Sequence, residues 1–262
     1  MTDTTAHPPE TVEGWYALHQ IYRSSTPDEA HAKLAAPDST EATSSRGWTR
    51  WVRLIGSPAD LMVIHFRPTL DDISSAQDAS RHWIKVLGLD LVYSFLSVTE
   101  AGLYHITAKL AANAESRGGN VGDEAYRAEM SAQVQAELES EHVKKRLYPQ
   151  PQPDMPYVCF YPMSKRREPG QNWYSLPLEE RSRLMFAHGM TGRKYAGRIQ
   201  QIITGAIGFD AWEWGVTLFA RDPLDFKRIV TEMRFDEVSA KYAEFGDFYV
   251  GRILKAEPAP AE

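Results

Sequence analysis

MVIHFRPTLDDI (residues 62–73) and GVTLFARDPLDF (215–226) follow one plan: an alternating apolar run, a basic residue, a short proline-containing turn with an acidic residue, then a helical pattern. Carboxylates and proline suit the first turn of a helix, so Asp71 and Asp72 in one copy, and Asp222 with Pro223 in the other, mark helix starts. Working outward, strands are expected over 14–22, 60–68 and 91–100 with a helix over 69–86. The second half has strands over 156–163, 213–221 and 245–254 with a helix over 222–235. Two more helices are expected around 177–188 and 192–203. An ordered repeat of strands and helices with antiparallel pairing predicts an α+β fold of two ferredoxin-like units sharing a core. The divisions read as an N-terminal repeat over 11–110, a connection over 111–150 and a C-terminal repeat over 151–255, with loose tails at 1–10 and 256–262. Within the connection, 111–123 reads as a flexible loop and 124–147 as one long helix with a narrow apolar stripe.

The chain has 262 residues, 29 basic and 35 acidic, for a formal net charge of −6. That balance argues against a nucleic-acid partner. Its one cysteine, Cys159, lies inside an apolar run and cannot form an internal disulfide, which suits a reducing compartment. The N-terminus lacks a basic start and an apolar stretch, and no apolar run approaches the ~20 residues of a membrane span. A cytoplasmic, soluble protein is expected.

FYPMSKRR (160–167) carries a tyrosine to the end of a strand and then sets Lys165, Arg166 and Arg167 together. The plain explanation is a strand leaving the core for water; the functional one is a rim for an anion. His188 precedes Gly189, a plausible C-cap, and serves equally as a helix-end cation or as an axial metal ligand. Gln201, alone, reads as a surface glutamine. There is no HExxH or Cys/His set, no GxGxxG turn and no GxSxG elbow, so zinc, nicotinamide and serine-hydrolase chemistry are unsupported. These residues by themselves name no reaction.

Three blocks taken together change that: YPMSKRR (161–167), AHGMTGRKYAGRIQQIITG (187–205) and EMRFDEVSAKYAEFG (232–246). In this order they resemble the chlorite-dismutase-like superfamily and, within it, the coproheme decarboxylases; the likeness is strong over 156–254 and weaker over 11–148. The resemblance implies two ferredoxin-like repeats in a homopentameric ring, with the porphyrin in the C-terminal repeat. It also implies iron-coproporphyrin III (coproheme) as substrate, hydrogen peroxide as co-substrate, haem b as product, and coproporphyrin ferrochelatase as a partner. By the same resemblance His188 is the proximal iron ligand and Tyr161 the radical-forming catalytic residue. Lys165 serves the second propionate, Arg234 and Ser239 anchor propionates, Met163 lines the pocket beside Tyr161, and Gln201 stands on the distal side. Arg146 is the nearest candidate for a further propionate anchor, with Lys145 competing. A distal arginine, which chlorite-degrading members keep, is not evident, so efficient chlorite breakdown is not expected. The alternatives are a haem b enzyme of chlorite dismutase or peroxidase type, and a haem-binding module without turnover.

Overall fold

The computed structural model describes residues 7–24 and 46–255. Nine strands are described: β1 (Thr11–Ser24), β2 (Trp48–Leu54), β3 (Leu61–Arg67), β4 (Leu89–Gly102), β5 (Tyr157–Lys165), β6 (Ile199–Gly205), β7 (Trp214–Ala220), β8 (Ala243–Phe245) and β9 (Tyr249–Ile253). The described helices are α1 (Leu70–Val86), α2 (Tyr104–Ser116), α3 (Glu124–Glu139), α4 (Glu141–Leu147), α5 (Leu178–Arg193), α6 (Leu224–Arg234) and α7 (Glu237–Tyr242). The strands form one sheet in the order β7-β6-β4-β1-β3-β2-β9-β5-β8, and β5 also pairs with β7. All strand pairings are antiparallel. The fold is thus mixed α+β on a single multi-stranded sheet, and within it β4-β1-β3-β2 and β9-β5-β7-β6 have the same neighbour order.

The two opening stretches form the elements their patterns predict. Thr69 caps α1 by accepting the Asp72 backbone N–H at 3.1 Å. Asp222 Oδ1 accepts from the Leu224 N–H at 3.0 Å at the start of α6. One face of the strands packs a core drawn from both halves of the chain: Trp15, Trp48, Phe66 and Phe95 meet Phe160 and Phe219. Each such aromatic ring, fully buried, is worth roughly 1.5–3 kcal/mol, so neither half closes its core without the other.

Four expectations need correction. Residues 192–203 are not a helix: α5 ends at Arg193, Gly197 takes φ +78° in the left-handed region, and Ile199 opens β6. Ile199, Ile202, Ile203 and Thr204 are β-branched and pair with β7 along its whole length, a tertiary preference that overrides the helical spacing. The preceding helix runs past Gly189, so His188 sits inside α5 and not at its end. Residues 111–116 belong to α2, and the expected long helix is broken at Ser140 into α3 and α4. Strand β2 had no counterpart in the sequence reading. The tail expectations for 1–6 and 256–262 lie outside the described residues, whereas residues 7–10 are held: the Glu10 N–H donates to Thr107 Oγ1 at 2.9 Å, and Arg181 donates to the His7 carbonyl.

Candidate active site

Strand alternation sends Cys159, Tyr161 and Met163 of β5 to the sheet face under α5 and α6, opposite the shared core. Register through β7 to β6 sets out rows on that face: Cys159–Leu218–Gln201, Tyr161–Val216–Ile203 and Met163–Trp214–Gly205. Phe226, Ile229 and Met233 of α6 and Tyr195 after α5 pack against these rows. Tyr161 and Gln201 therefore share one apolar floor, although they are 40 residues apart in sequence.

The Tyr161 ring stacks on Phe248, with centroids 4.3 Å apart, and leans on Phe245 at 5.9 Å. Burial pushes its phenol well above the ordinary tyrosine range; Cys159 adds to this, and the Arg234 charge opposes it. The Arg234 guanidinium lies 3.8 Å over the Phe245 ring, so one phenylalanine contacts both Tyr161 and a cation. The Tyr161 hydroxyl is therefore protonated at neutral pH, with a hydrogen atom to give.

His188 is partly buried on α5, and its Nδ1 lies 2.8 Å from Asp236 Oδ2. Asp236 also caps α7, accepting the Val238 N–H at 2.7 Å. Burial raises the Asp236 carboxyl, but the His188 contact, the Val238 N–H and the Lys165 charge together hold it below its usual value. A carboxylate on Nδ1 fixes the imidazole orientation and leaves Nε2 as the ring's ligand atom, the arrangement that histidine metal ligands use. Among the described residues no group of three or more His, Cys, Asp or Glu is placed to hold a metal ion. His188 thus fits as a single protein ligand to an iron that brings its other ligands as a porphyrin.

Lys165 closes β5 and is buried, its ammonium 4.4 Å from the centroid of the Trp173 ring. Burial pulls the ammonium down to about 8 against the attraction of Asp236 and Glu213. Ser239 is buried on α7, one turn beyond the Asp236 cap. Gln201 Nε2 donates to the Gly192 carbonyl at 3.4 Å, one helical turn from His188.

Arg146 stands further off, on α4. Its Nε donates to the Glu100 carbonyl at 3.1 Å, and the Glu100 carboxylate accepts from Trp214 Nε1 at 2.8 Å, which connects Arg146 to the Met163 end of the floor. Lys145, its competitor, lines an open depression with Gln135, Leu138, Glu139, Lys144 and Tyr148. Among the described residues, no carboxylate lies within salt-bridge distance of Lys165, Arg234 or Arg146, whereas Arg228 on α6 is paired with both Asp222 and Asp225.

The structure brings Tyr161, Met163, Lys165, His188, Gln201, Arg234 and Ser239 onto β5, β6 and the helices around them, with Arg146 at one edge. Sequence reasoning missed Asp236, Trp173, Phe245 and Glu213. The only signal for Asp236 was an acidic residue at a helix start, FDEV (235–238), which says nothing of a histidine 48 positions earlier.

A family model described as Chlorite dismutase matches residues 23–254. The chain is 40% identical over 261 residues to the coproheme decarboxylase of Staphylococcus carnosus, covering 95% of both chains. It is 39% identical over 260 residues to that of Staphylococcus saprophyticus, covering 94% of both. A heme-binding protein from Thermus thermophilus superposes with a TM-score of 0.72 at 39% identity, over 95% of this chain and 94% of that one. The chain belongs to the chlorite dismutase family.

Proposed function

We propose that this chain is a coproheme decarboxylase, converting iron-coproporphyrin III and hydrogen peroxide to haem b. The relatives at 39–40% identity over nearly the whole chain support the activity. The observation that carries the site is that Tyr161 shares an apolar floor with cations that have no carboxylate partner among the described residues, under a helix whose histidine is oriented by Asp236. Four propionates bring about four negative charges, which unpaired cations accept without first breaking ion pairs.

In this reading His188 Nε2 holds the iron, and Arg234, Ser239, Lys165 and Arg146 hold propionates. Met163 fills the floor beside Tyr161. Gln201 faces the other side of the porphyrin as a neutral hydrogen-bonding group in place of an arginine. Iron and peroxide supply the oxidising equivalents when bound. Tyr161, oxidised to a neutral radical, takes a hydrogen atom from the propionate β-carbon. Loss of a second electron and of CO2 leaves a vinyl group. Each round balances as propionate, hydrogen peroxide and a proton giving vinyl, CO2 and two waters, and two rounds act on propionates 2 and 4. The protonated phenol suits this role, because it loses a hydrogen atom and no net charge appears on an apolar floor.

The finer architecture belongs to the same proposal. The matching orders β4-β1-β3-β2 and β9-β5-β7-β6 support two ferredoxin-like repeats, over 11–110 and 151–255, joined by 111–150 and closed as a dimeric α+β barrel. Exposed Trp83, Val86, Leu91 and Val92 at one end of α1 and β4 support self-association, which we take to be the homopentameric ring. No helix among the described residues is long and apolar enough to cross a membrane. A cytoplasmic location, and direct docking of coproporphyrin ferrochelatase as the source of coproheme, complete the proposal; co-sedimentation of the two purified proteins tests the docking.

The deciding experiment adds ferric coproheme to the purified protein, titrates hydrogen peroxide, and separates porphyrins by chromatography with mass detection. Successive loss of two carboxyl groups ending in haem b, abolished in Tyr161→Phe, is expected. Bleaching of coproheme to the same extent in both proteins, with no haem b, overturns the proposal.

A further inference from the structure

Lys165 poses a problem that the proposed function does not answer. It is 7% exposed, yet among the described residues no carboxylate oxygen lies within salt-bridge distance of its ammonium. A buried ammonium without a close counter-charge is costly. The attracting carboxylates, Asp236 at the head of α7 and Glu213 before β7, are otherwise engaged. Asp236 takes His188 Nδ1 and the Val238 N–H, and Glu213 Oε2 takes the Lys165 backbone N–H at 2.7 Å.

What lies against the ammonium is the face of Trp173, 4.4 Å from centroid to Nζ. Trp173 is 1% exposed, the edges of Tyr104 from α2 and Tyr242 from α7 meet it at 6.4 and 5.7 Å, and its backbone N–H donates to the Arg166 carbonyl at 3.0 Å. The indole is thus fixed in register with the very strand end that carries Lys165. An aromatic face attracts a cation through its quadrupole without accepting a directed hydrogen bond from it. A carboxylate in the same place would accept those donors and neutralise the charge.

We infer that Trp173 is a positioning residue for Lys165: its ring seats the ammonium, keeps it charged in a buried place, and leaves its N–H groups free for a substrate carboxylate. The inference rests on the proposed function for the identity of that carboxylate, but the seat itself belongs to the unliganded chain. It also gives the N-terminal half a part in the site, because Tyr104 of α2 helps fix the indole.

The test follows the lysine Cε and Nζ resonances of the porphyrin-free protein through pH, with Lys165→Arg to assign the signal. Wild type, Trp173→Phe and Trp173→Leu are compared. Losing the aromatic face is expected to lower the Lys165 midpoint by about one pH unit in Trp173→Leu, with Trp173→Phe in between, a tenfold change in the protonation equilibrium. Coproheme affinity near neutral pH should fall in the same order. A Lys165 midpoint in folded Trp173→Leu equal to or above wild type overturns the inference. Should that variant not fold, an unchanged midpoint in Trp173→Phe does so. The two ideas fail separately: an ordered set of midpoints with no haem b from wild type keeps the seat and sinks the decarboxylase, and the reverse pattern does the opposite.

Discussion

Replacing Asp236 by asparagine tests how the His188 ring is set. Asparagine is as good an N-cap as aspartate, so the contact to the Val238 N–H at 2.7 Å and the start of α7 should survive. The two carboxylate oxygens serve different partners, Oδ1 the Val238 N–H and Oδ2 His188 Nδ1. An asparagine that keeps the cap therefore sets its amide NH2 against His188 Nδ1 and removes both the charge and that hydrogen bond from a side chain only 8% exposed. A hydrogen bond to a charged group contributes roughly 1.5–3 kcal/mol. Its loss corresponds to roughly a ten- to hundredfold loss of coproheme affinity, in line with what supporting groups around metal ligands contribute. A less anionic imidazole also stabilises ferric iron less, so the reduction potential should rise and the ferrous iron–histidine stretch should weaken. Soret titration gives the affinity, potentiometry the potential and resonance Raman the stretch, with the melting temperature as a control for α7. An Asp236→Asn protein with the same melting temperature, affinity and potential as wild type would refute the argument that Asp236 tunes His188.

Two further outcomes are expected. His19 and His65 are fully buried, and burial pulls both imidazoles down to about 3 from an ordinary 6.5. The unfolded chain therefore binds more protons than the folded one between those values. Their stabilisation is complete above about pH 6.5 and is lost as pH falls toward 3, by ~1.4 kcal/mol per pH unit for each histidine. The urea midpoint should drop between pH 7 and pH 5, and a constant midpoint over that interval would contradict their neutral burial. For the assembly, light scattering should give five times the chain mass, and a monomer at micromolar concentration would overturn the ring.

Much of the fold was legible because some signals are local. The β3–α1 and β7–α6 units announced themselves by alternation followed by carboxylates and proline, and both formed as expected. β6 was misread because Tyr195, Ile199, Ile202 and Ile203 happen to fit a helical stripe. In the structure Ile199 and Ile203 face α5 and α6 while Ile202 faces the shared core, which is strand alternation. The site was less legible. Tyr161, His188 and Gln201 carried no decisive spacing and stood out only through the resemblance of the blocks around them. Asp236 and Trp173 acquire meaning only from long-range contacts, to His188 and Lys165, that no sequence periodicity encodes.

On the proposed function, the register also gives a reason for the second half, and not the first, to carry the chemistry. The opening stretches align Val63 with Val216 and His65 with Leu218, and the strands honour that alignment. Row Leu18–His65–Thr49 in β1, β3 and β2 stands where Cys159–Leu218–Gln201 stands in β5, β7 and β6, and Gln20–Val63–Trp51 matches Tyr161–Val216–Ile203. The first half does place a histidine on this face, but both its ring nitrogens meet the chain's own hydroxyls. Nδ1 of His65 lies 2.9 Å from Thr49 Oγ1, and Nε2 lies 3.5 Å from Ser80 Oγ on α1. With no exposure and its proton affinity driven far down by burial, His65 is a core residue filling the space that α1 covers. In the second half the row bears an amide, and the histidine comes instead from α5, with one nitrogen committed to a carboxylate and the other left for a ligand. The tyrosine register is filled by Gln20 in the first half, and a glutamine has no hydrogen atom it can readily give up. The same scaffold thus yields a packed face in one half and an oxidisable, cation-flanked face in the other, through the identity of a few outward-pointing side chains.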